Sequence, residues 1–387
     1  MIALRLVCVV ASFAVPAVAQ TTWTVNAGGG AQFTSLAAAV AAAAPGDTIL
    51  VQQPAMLEAV VGFTTDKGLT IVGEGGAVPI ATGATPIEVV GLPAGQRFRM
   101  AGFTQIQNGE LRVRVQNCQG DVHLDNLRCR EPDLFGPQGP SIRIEGCANV
   151  TLRDVETFGL PAVGIAASRV TLTLCRLGKI GTGVGGGPCL YLNGASDVDV
   201  VEPRFDSGGT AVPIGVDDLS ALRVRGSTAA FVRSQSAFAV GTPVLTAASS
   251  AVSFDPAVQL APGLFQPLFH LSSGVSITMT SLPGSWCGRA SPGQILSLET
   301  SAPVDAAVFQ IIGRPMPAVA TPLGFLAIDP TLGFLFSLGS IVGGSGQVGT
   351  PLNLPASLPL GETFATQAIV LEGLGIELGA PVVFTVH

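Results

Sequence analysis

Four segments of this chain can be laid over one another: Arg112–Cys118, Ser141–Cys147, Cys189–Ala195 and Pro213–Asp218. Each alternates apolar and polar side chains with a period of two, as a strand with one buried face does. A second strand follows each of them, at Val122–Leu124, Val150–Leu152, Val198–Val200 and Leu222–Val224. A further coil, weaker in its first strand, carries Val170–Leu172. The second strands start 28, 20, 28 and 24 residues apart, the length of one coil of a parallel β-helix with insertions in its turns. A leucine-rich repeat has a similar period, but its consensus is missing. A β-sandwich does not set apolar dyads in register at this spacing.

Composition agrees. Only 12% of the 387 residues are charged, 48% are hydrophobic, and there are 49 glycines and 28 prolines. A disordered chain shows the reverse balance; many short strands joined by Gly/Pro turns fit better. The net charge of −7 argues against a nucleic-acid partner, which needs clustered basic residues. Lys67 and Lys179 are the only lysines.

Residues 1–19 read as a secretory signal: Arg5, an apolar run from Leu6 to Val15, and the A-x-A site Ala17-Val18-Ala19. That run is too short to span a bilayer, and no later apolar stretch is long enough. The expected location is extracellular or at the cell surface, with no transmembrane segment after signal removal. An exported chain can keep disulfides. Cys118 and Cys147 fall at equivalent positions on successive coils, which suits either a bridge or a stack of buried thiols.

After the signal comes Thr22–Val25, then Thr34 or Ser35 as an N-cap for an alanine-rich helix. Pro45-Gly46-Asp47 stops that helix before a β-branched strand at Thr48–Gln52. A solenoid needs such a cap, because its end coil otherwise exposes the core. Val275–Met279 reads as a last coil strand, and near Pro283–Trp286 the pattern changes. Hydrophobic strands broken by Pro and Gly follow, including Ile295–Leu298, Ala307–Ile312, Phe325–Ile328, Phe364–Leu371 and Val382–Val386. The expectation is an all-β chain: a right-handed parallel β-helix over residues 20–282 with a short N-terminal capping helix, then a small β-sandwich domain over 283–387.

The opening, with Trp23-Thr24-Val25 and Pro45-Gly46-Asp47-Thr48-Ile49, and coil dyads such as Asn149-Val150-Thr151-Leu152-Arg153-Asp154 resemble pectate-lyase-like β-helix proteins across roughly residues 21–282. The likeness speaks for the fold more than for a reaction. It implies a substrate groove on an outer face of the coils. The C-terminal stretch is similar to domains appended to secreted bacterial proteins, which implies attachment or sorting by analogy.

Superposition of the coils predicts two outward ladders. One holds Arg114, Arg143, Tyr191 and Gly215; the other holds Gln116, Glu145, Asn193 and Asp217, with Asp218 beside it. Stacked coils lie about 4.8 Å apart, so Arg114, Gln116, Glu145, Tyr191 and Asn193 can touch one sugar chain running along the axis. The plainer reading is a solvated face with cross-coil ion pairs, such as Arg114 with Glu145. Resemblance to polygalacturonase-like hydrolases implies an acid–base role for Asp217 and Asp218, yet the partner N-T-D, G-H-G and R-I-K motifs are missing. A lyase needs calcium and a basic residue to take a proton from a uronate. Asp121, Asp125, Asp154 and Glu156 are candidate ligands; Arg128, Arg153 and Arg143 are candidate bases. Asp121, His123 and Asp125 point to the same side of one strand, with Asp121 and Asp125 as the candidate metal ligands. Gly183–Gly187 is glycine-rich but lacks P-loop or dinucleotide spacing. On these residues the first reading is binding of polysaccharide without catalysis. The second is a lyase or glycoside hydrolase acting on uronate polymers, with Arg143, Asp217 and Asp218 as its catalytic candidates.

Overall fold

The computed structural model describes residues 20–52, 62–76, 78–80, 85–105, 111–130, 140–158, 161–178, 188–208, 213–225, 230–235, 244–256, 258–261, 269–279, 283–287, 290–321, 324–329, 334–335, 340–342, 347–372 and 375–386. The signal-like segment 1–19 and the glycine run 183–187 lie outside them.

The chain winds into a parallel β-helix whose coils have three faces. First-face strands form a nine-stranded parallel sheet from Phe63–Thr65 to Phe269–Leu271. Second- and third-face strands together make a seventeen-stranded sheet. The second face begins at Thr22–Val25, which pairs with Thr48–Val51, and ends at Ser276–Met279. Third-face strands include Glu156–Phe158, Arg176–Gly178 and Arg204–Gly208.

Many of the described corners turn through residues with left-handed backbone. Between the first and second faces these include Asn117 at φ 54°, Gly146 at φ 63° and Ala167 at φ 47°. Between the second and third faces they are Gly102 (φ 81°), Asn126 (48°), Asp154 (48°), Leu174 (55°) and Glu202 (51°). Glycine, Asn and Asp adopt this conformation readily, whereas Leu174 and Glu202 do so at about 1–2 kcal/mol each. The column they frame must repay that cost.

The column is continuous. Ile144 pairs in register with Val115 and Ile165, Ile165 with Leu192, and Leu192 with Val216. On the second face Val122, Val150, Val170, Val198 and Leu222 stack likewise. All are buried, and each such side chain stabilises the fold by about 1.5–3 kcal/mol. The coil whose first strand is weak in the sequence supplies Val163–Ala166, inserted between Ile142–Glu145 and Leu190–Asn193.

The N-terminal end is closed by the helix Leu36–Ala42, which buries Leu36, Ala39 and Val40. Ser35 caps its start, accepting from the Ala38 amide. Lys67 closes its other end, donating to the carbonyls of Val40, Ala41 and Ala43 at 2.9–3.1 Å, where helix carbonyls lack partners. Asp47 ties the strand before the helix to the turn after it, accepting from the Thr21 and Ala44 amides and Trp23 Nε1.

Past Ser276–Met279 the pairing becomes antiparallel. Gly284–Cys287, Ile295–Ser301 and Gln347–Asn353 form one sheet; Ala307–Gly313, Thr363–Glu372, Gly375–Leu378 and Val382–Thr385 belong to a second. Leu296, Leu298, Ile312, Val382 and Phe384 fill the space between them. This small β domain packs alongside the solenoid. Val382–Thr385 contacts Asp121–Arg130 and Asn149–Arg153, and Gly284–Cys287 contacts Asp197–Val201. Arg225 Nη1 donates to the Pro283 carbonyl at 2.5 Å. A β-carbon at Gly361 would sit 3.2 Å from Thr70 Cγ2 and 3.3 Å from Val72 Cγ2. The C-terminal domain therefore covers the second face from the Thr48–Val51 strand to the Ala221–Arg225 strand, and leaves Ser276–Met279 exposed.

Candidate functional site

The two predicted ladders lie on the first face. The register runs Glu88, Arg114, Arg143, Gly164, Tyr191, Gly215 and Thr246 along one row. Beside it run Gln116, Glu145, Ala166 and Asn193. The inserted coil thus puts Gly164 and Ala166 between the Arg143 and Tyr191 rungs. Arg143 and Tyr191 are two rungs apart, about 9.6 Å at the usual strand spacing.

The expected cross-coil pair of Arg114 with Glu145 is replaced by others. Arg114 Nη1 lies 3.3 Å from Glu88, one coil back. Glu145 is held by Arg143 of its own strand, with Nε donating at 2.7 Å, and by Gln116 Nε2 at 3.0 Å. Arg143 and Glu145 stand two residues apart on one strand, so both project outward and meet without spanning a coil. Arg114 and Arg143 keep 42% and 47% of their side-chain surface exposed, so these pairs can rearrange around a ligand at small cost.

Tyr191 leans away from the Gly164 rung. A β-carbon at Gly215 would lie 3.2 Å from Tyr191 Cδ2 and 2.8 Å from Pro188 Cγ, so only glycine fits beneath that ring. The Tyr191 hydroxyl donates to Asp217 at 3.1 Å. Burial, then the Asp217 carboxylate, pushes the phenol pKa above its ordinary value. Beside Gly164 lie Pro140 at 3.4 Å and Pro161 at 3.8 Å from the position a β-carbon would take. The result is a shallow notch, one rung wide, with Arg143 and Glu145 on one lip, Tyr191 and Asn193 on the other, and prolines alongside. Asn193 Oδ1 has no partner among the described residues.

The acid–base candidates are not gathered into one cluster. Asp217 serves Tyr191, while Asp218 occupies an exposed left-handed corner at φ 55°. No family model matches this chain, and no curated protein matches it either. Function therefore has to be argued from the residues themselves.

Apart from Arg143 on the first face, the lyase-type candidates sit on the second face and its far corner, where their charges are engaged in pairs. Asp121 lies 3.2 Å from Arg97 Nε and accepts from Asn149 at 3.0 Å. Asp125 accepts twice from Arg153. Arg128 bonds Asp154 at 3.0 Å and stands 3.5 Å from Glu156. Asp121, His123 and Asp125 do share one side of their strand, but that side is buried. Among the described residues no cluster of three His, Cys, Asp or Glu side chains is placed to hold a metal ion.

The second-face row reads Thr70, Arg99, His123, Thr151, Thr171, Asp199, Arg223. Among the described residues neither ring nitrogen of His123 has a hydrogen-bond partner. Burial, with Arg99 and Arg97 nearby, holds His123 well below the ordinary histidine range. Among the described residues Cys118, Cys129, Cys147, Cys175, Cys189 and Cys287 are buried free thiols. Cys118 and Cys147 stand at equivalent positions on successive coils, each with its Sγ against backbone carbonyls, Cys118 against Val89 and Gln116, Cys147 against Val115 and Glu145.

Proposed function

We propose that this chain is an extracellular polysaccharide-binding protein that grips a sugar chain along the first face of its coils. The observation that carries this reading is the outward polar ladder of the first face, where Arg114 and Arg143 stay exposed while the C-terminal domain packs on the second face. On the first face Arg143, Glu145, Tyr191 and Asn193 flank a notch floored by Gly164 and Ala166. Arginine and carboxylate groups suit hydroxyls and acidic substituents, and a tyrosine edge with adjacent prolines suits the apolar face of a pyranose. The pectate-lyase-like resemblance and the signal-like first segment support an extracellular glycan over a small intracellular ligand.

Binding without turnover is the reading favoured by the site's own pairing. Arg143 is held by Glu145, and Asp217 is committed to Tyr191. The second reading, a uronate lyase or hydrolase, rests on the same residues with Arg143, Asp217 and Asp218 as its chemistry.

The test is retention of the chain on a panel of immobilised neutral and acidic polysaccharides, with Tyr191→Ala and Arg143→Ala compared with the native chain. Loss of about tenfold in affinity, about 1.4 kcal/mol, in both variants supports the proposal. Equal retention by both variants would overturn it. Unsaturated products or new reducing ends that vanish in Arg143→Ala or Asp217→Ala would establish the enzymatic reading instead.

A further inference from the structure

A second recess opens where the first coils meet the C-terminal domain. Its volume is about 430 Å³, within the range of small-molecule sites. From the solenoid it is lined by Thr70, Arg97 and Arg99, and from the C-terminal domain by Arg314, Glu362 and Thr363. Three arginines thus face one cleft in a chain of net charge −7 with only 12% charged residues.

The three differ in how they are compensated. Arg97 is tied to Asp121 at 3.2 Å. Arg314 is exposed at the mouth. Arg99 is the deep one: its Nε is buried and makes no hydrogen bond, and the described residues offer its guanidinium no ion pair. Burial, then repulsion from Arg97, brings its pKa down to about 10, with Glu362 and Asp121 opposing and Arg314 adding to the repulsion. A half-buried guanidinium with an unpartnered Nε and no direct ion pair is costly to keep charged, and one incoming anion offsets that cost.

We infer that this cleft binds a small ligand bearing an oxyanion, carboxylate or sulfate, held between Arg99 of the solenoid and Arg314 of the C-terminal domain. The planar guanidinium fork suits both groups. Glu362, on the same wall, accepts from hydroxyls of a ligand that carries them. The site is separate from the first-face ladder, and it exists only when both domains are in place.

The test is calorimetric titration of the two-domain chain with sodium gluconate, with inorganic sulfate, and with sorbitol as the uncharged control. Saturable binding of one or both anions, absent for sorbitol and weakened by added chloride, is expected. Preference between the two anions assigns the anionic group. Arg314→Gln and Arg99→Gln should each weaken binding at least tenfold, while Tyr191→Ala should leave it unchanged. Arg314 is exposed, so its variant decides the matter even if Arg99→Gln fails to fold. No saturation by either anion, or undiminished binding in Arg314→Gln, would sink the proposal.

Discussion

Arg153 sets one guanidinium nitrogen against both carboxylate oxygens of Asp125, at 2.8 and 2.7 Å, across two adjacent coils. Both side chains are almost wholly buried. Burial opposes the charge on Arg153, and Asp125 more than offsets it, so the arginine pKa moves upward. Removing one partner strands the other. Asp125→Ala should lower unfolding free energy by about 3–5 kcal/mol, whereas Asp125→Leu combined with Arg153→Met should recover most of the loss. Urea unfolding of the single and double variants checks this; a single variant as stable as the native chain refutes it.

His123 makes stability depend on pH. Its folded-state pKa is depressed by burial first, then by Arg99 and Arg97, with Asp125 opposing. Folding therefore holds the ring neutral, and the unfolded chain takes up the extra proton below about pH 6.5. The stability is fully present above that pH. It falls as pH drops, by up to about 1.4 kcal/mol per pH unit. Between about pH 6.5 and pH 5 the native chain should lose stability, and His123→Leu should flatten the curve. An unchanged slope in that variant would remove His123 from the account.

Asp199 works in the same direction at lower pH, but through its charged form. Burial works against its charge, but Arg225 and Arg223 win and lower its pKa to about 2. It accepts from Nε of both arginines at 2.9 Å, and Arg225 reaches on to the Pro283 carbonyl. Its contribution is present above about pH 3.9 and disappears as pH falls toward 2. Asp199→Asn should cost about 2 kcal/mol at neutral pH. Because Arg225 joins solenoid to C-terminal domain, the loss should appear together with faster proteolysis near Pro283.

The thiols should be silent in the native state. Burial pushes Cys129 and Cys175 up to about 12. The neighbouring Cys147 thiol instead brings Cys118 down to about 7, yet Cys118 is buried too. With residues 1–19, and so Cys8, left off the protein, a bulky disulfide reagent should find no reactive thiol in the native state and six after denaturation. Fewer than six on denaturation without reductant would mean that a bridge forms.

The coils were legible because alternation with period two leaves little choice of inward residues. Val115, Ile144, Leu192 and Val216 occupy one column as their spacing demands. The intervening coil escaped superposition because Gly164 and Ala166 erase the polar half of its pattern, and with it the notch. The second face was misread in a different way. Asp121-Val122-His123-Leu124-Asp125 alternates identically whether its outer side meets water or protein, so strand pattern alone leaves Asp121 and Asp125 looking like open metal ligands. Thr151, Thr171 and Val201 at outward positions of neighbouring strands were the available hint that this surface is covered. The corners were partly visible: Asn126 and Asp154 are residues that turn left-handed readily, but nothing in Leu174 or Glu202 announces the same backbone.

Side-on attachment along the coils makes the C-terminal domain a ruler. It touches the solenoid from Thr48 near one end to Arg225 several coils on, and every contact between must keep step with the strand spacing. Inserting or deleting a coil within that span would throw Gly361, Val382–Thr385 and Pro283 out of alignment with their partners together. Coils added beyond Phe254 would keep those contacts in step and would need only a longer return from Met279 to Pro283, so growth by repeat duplication is easier at that end than within the span.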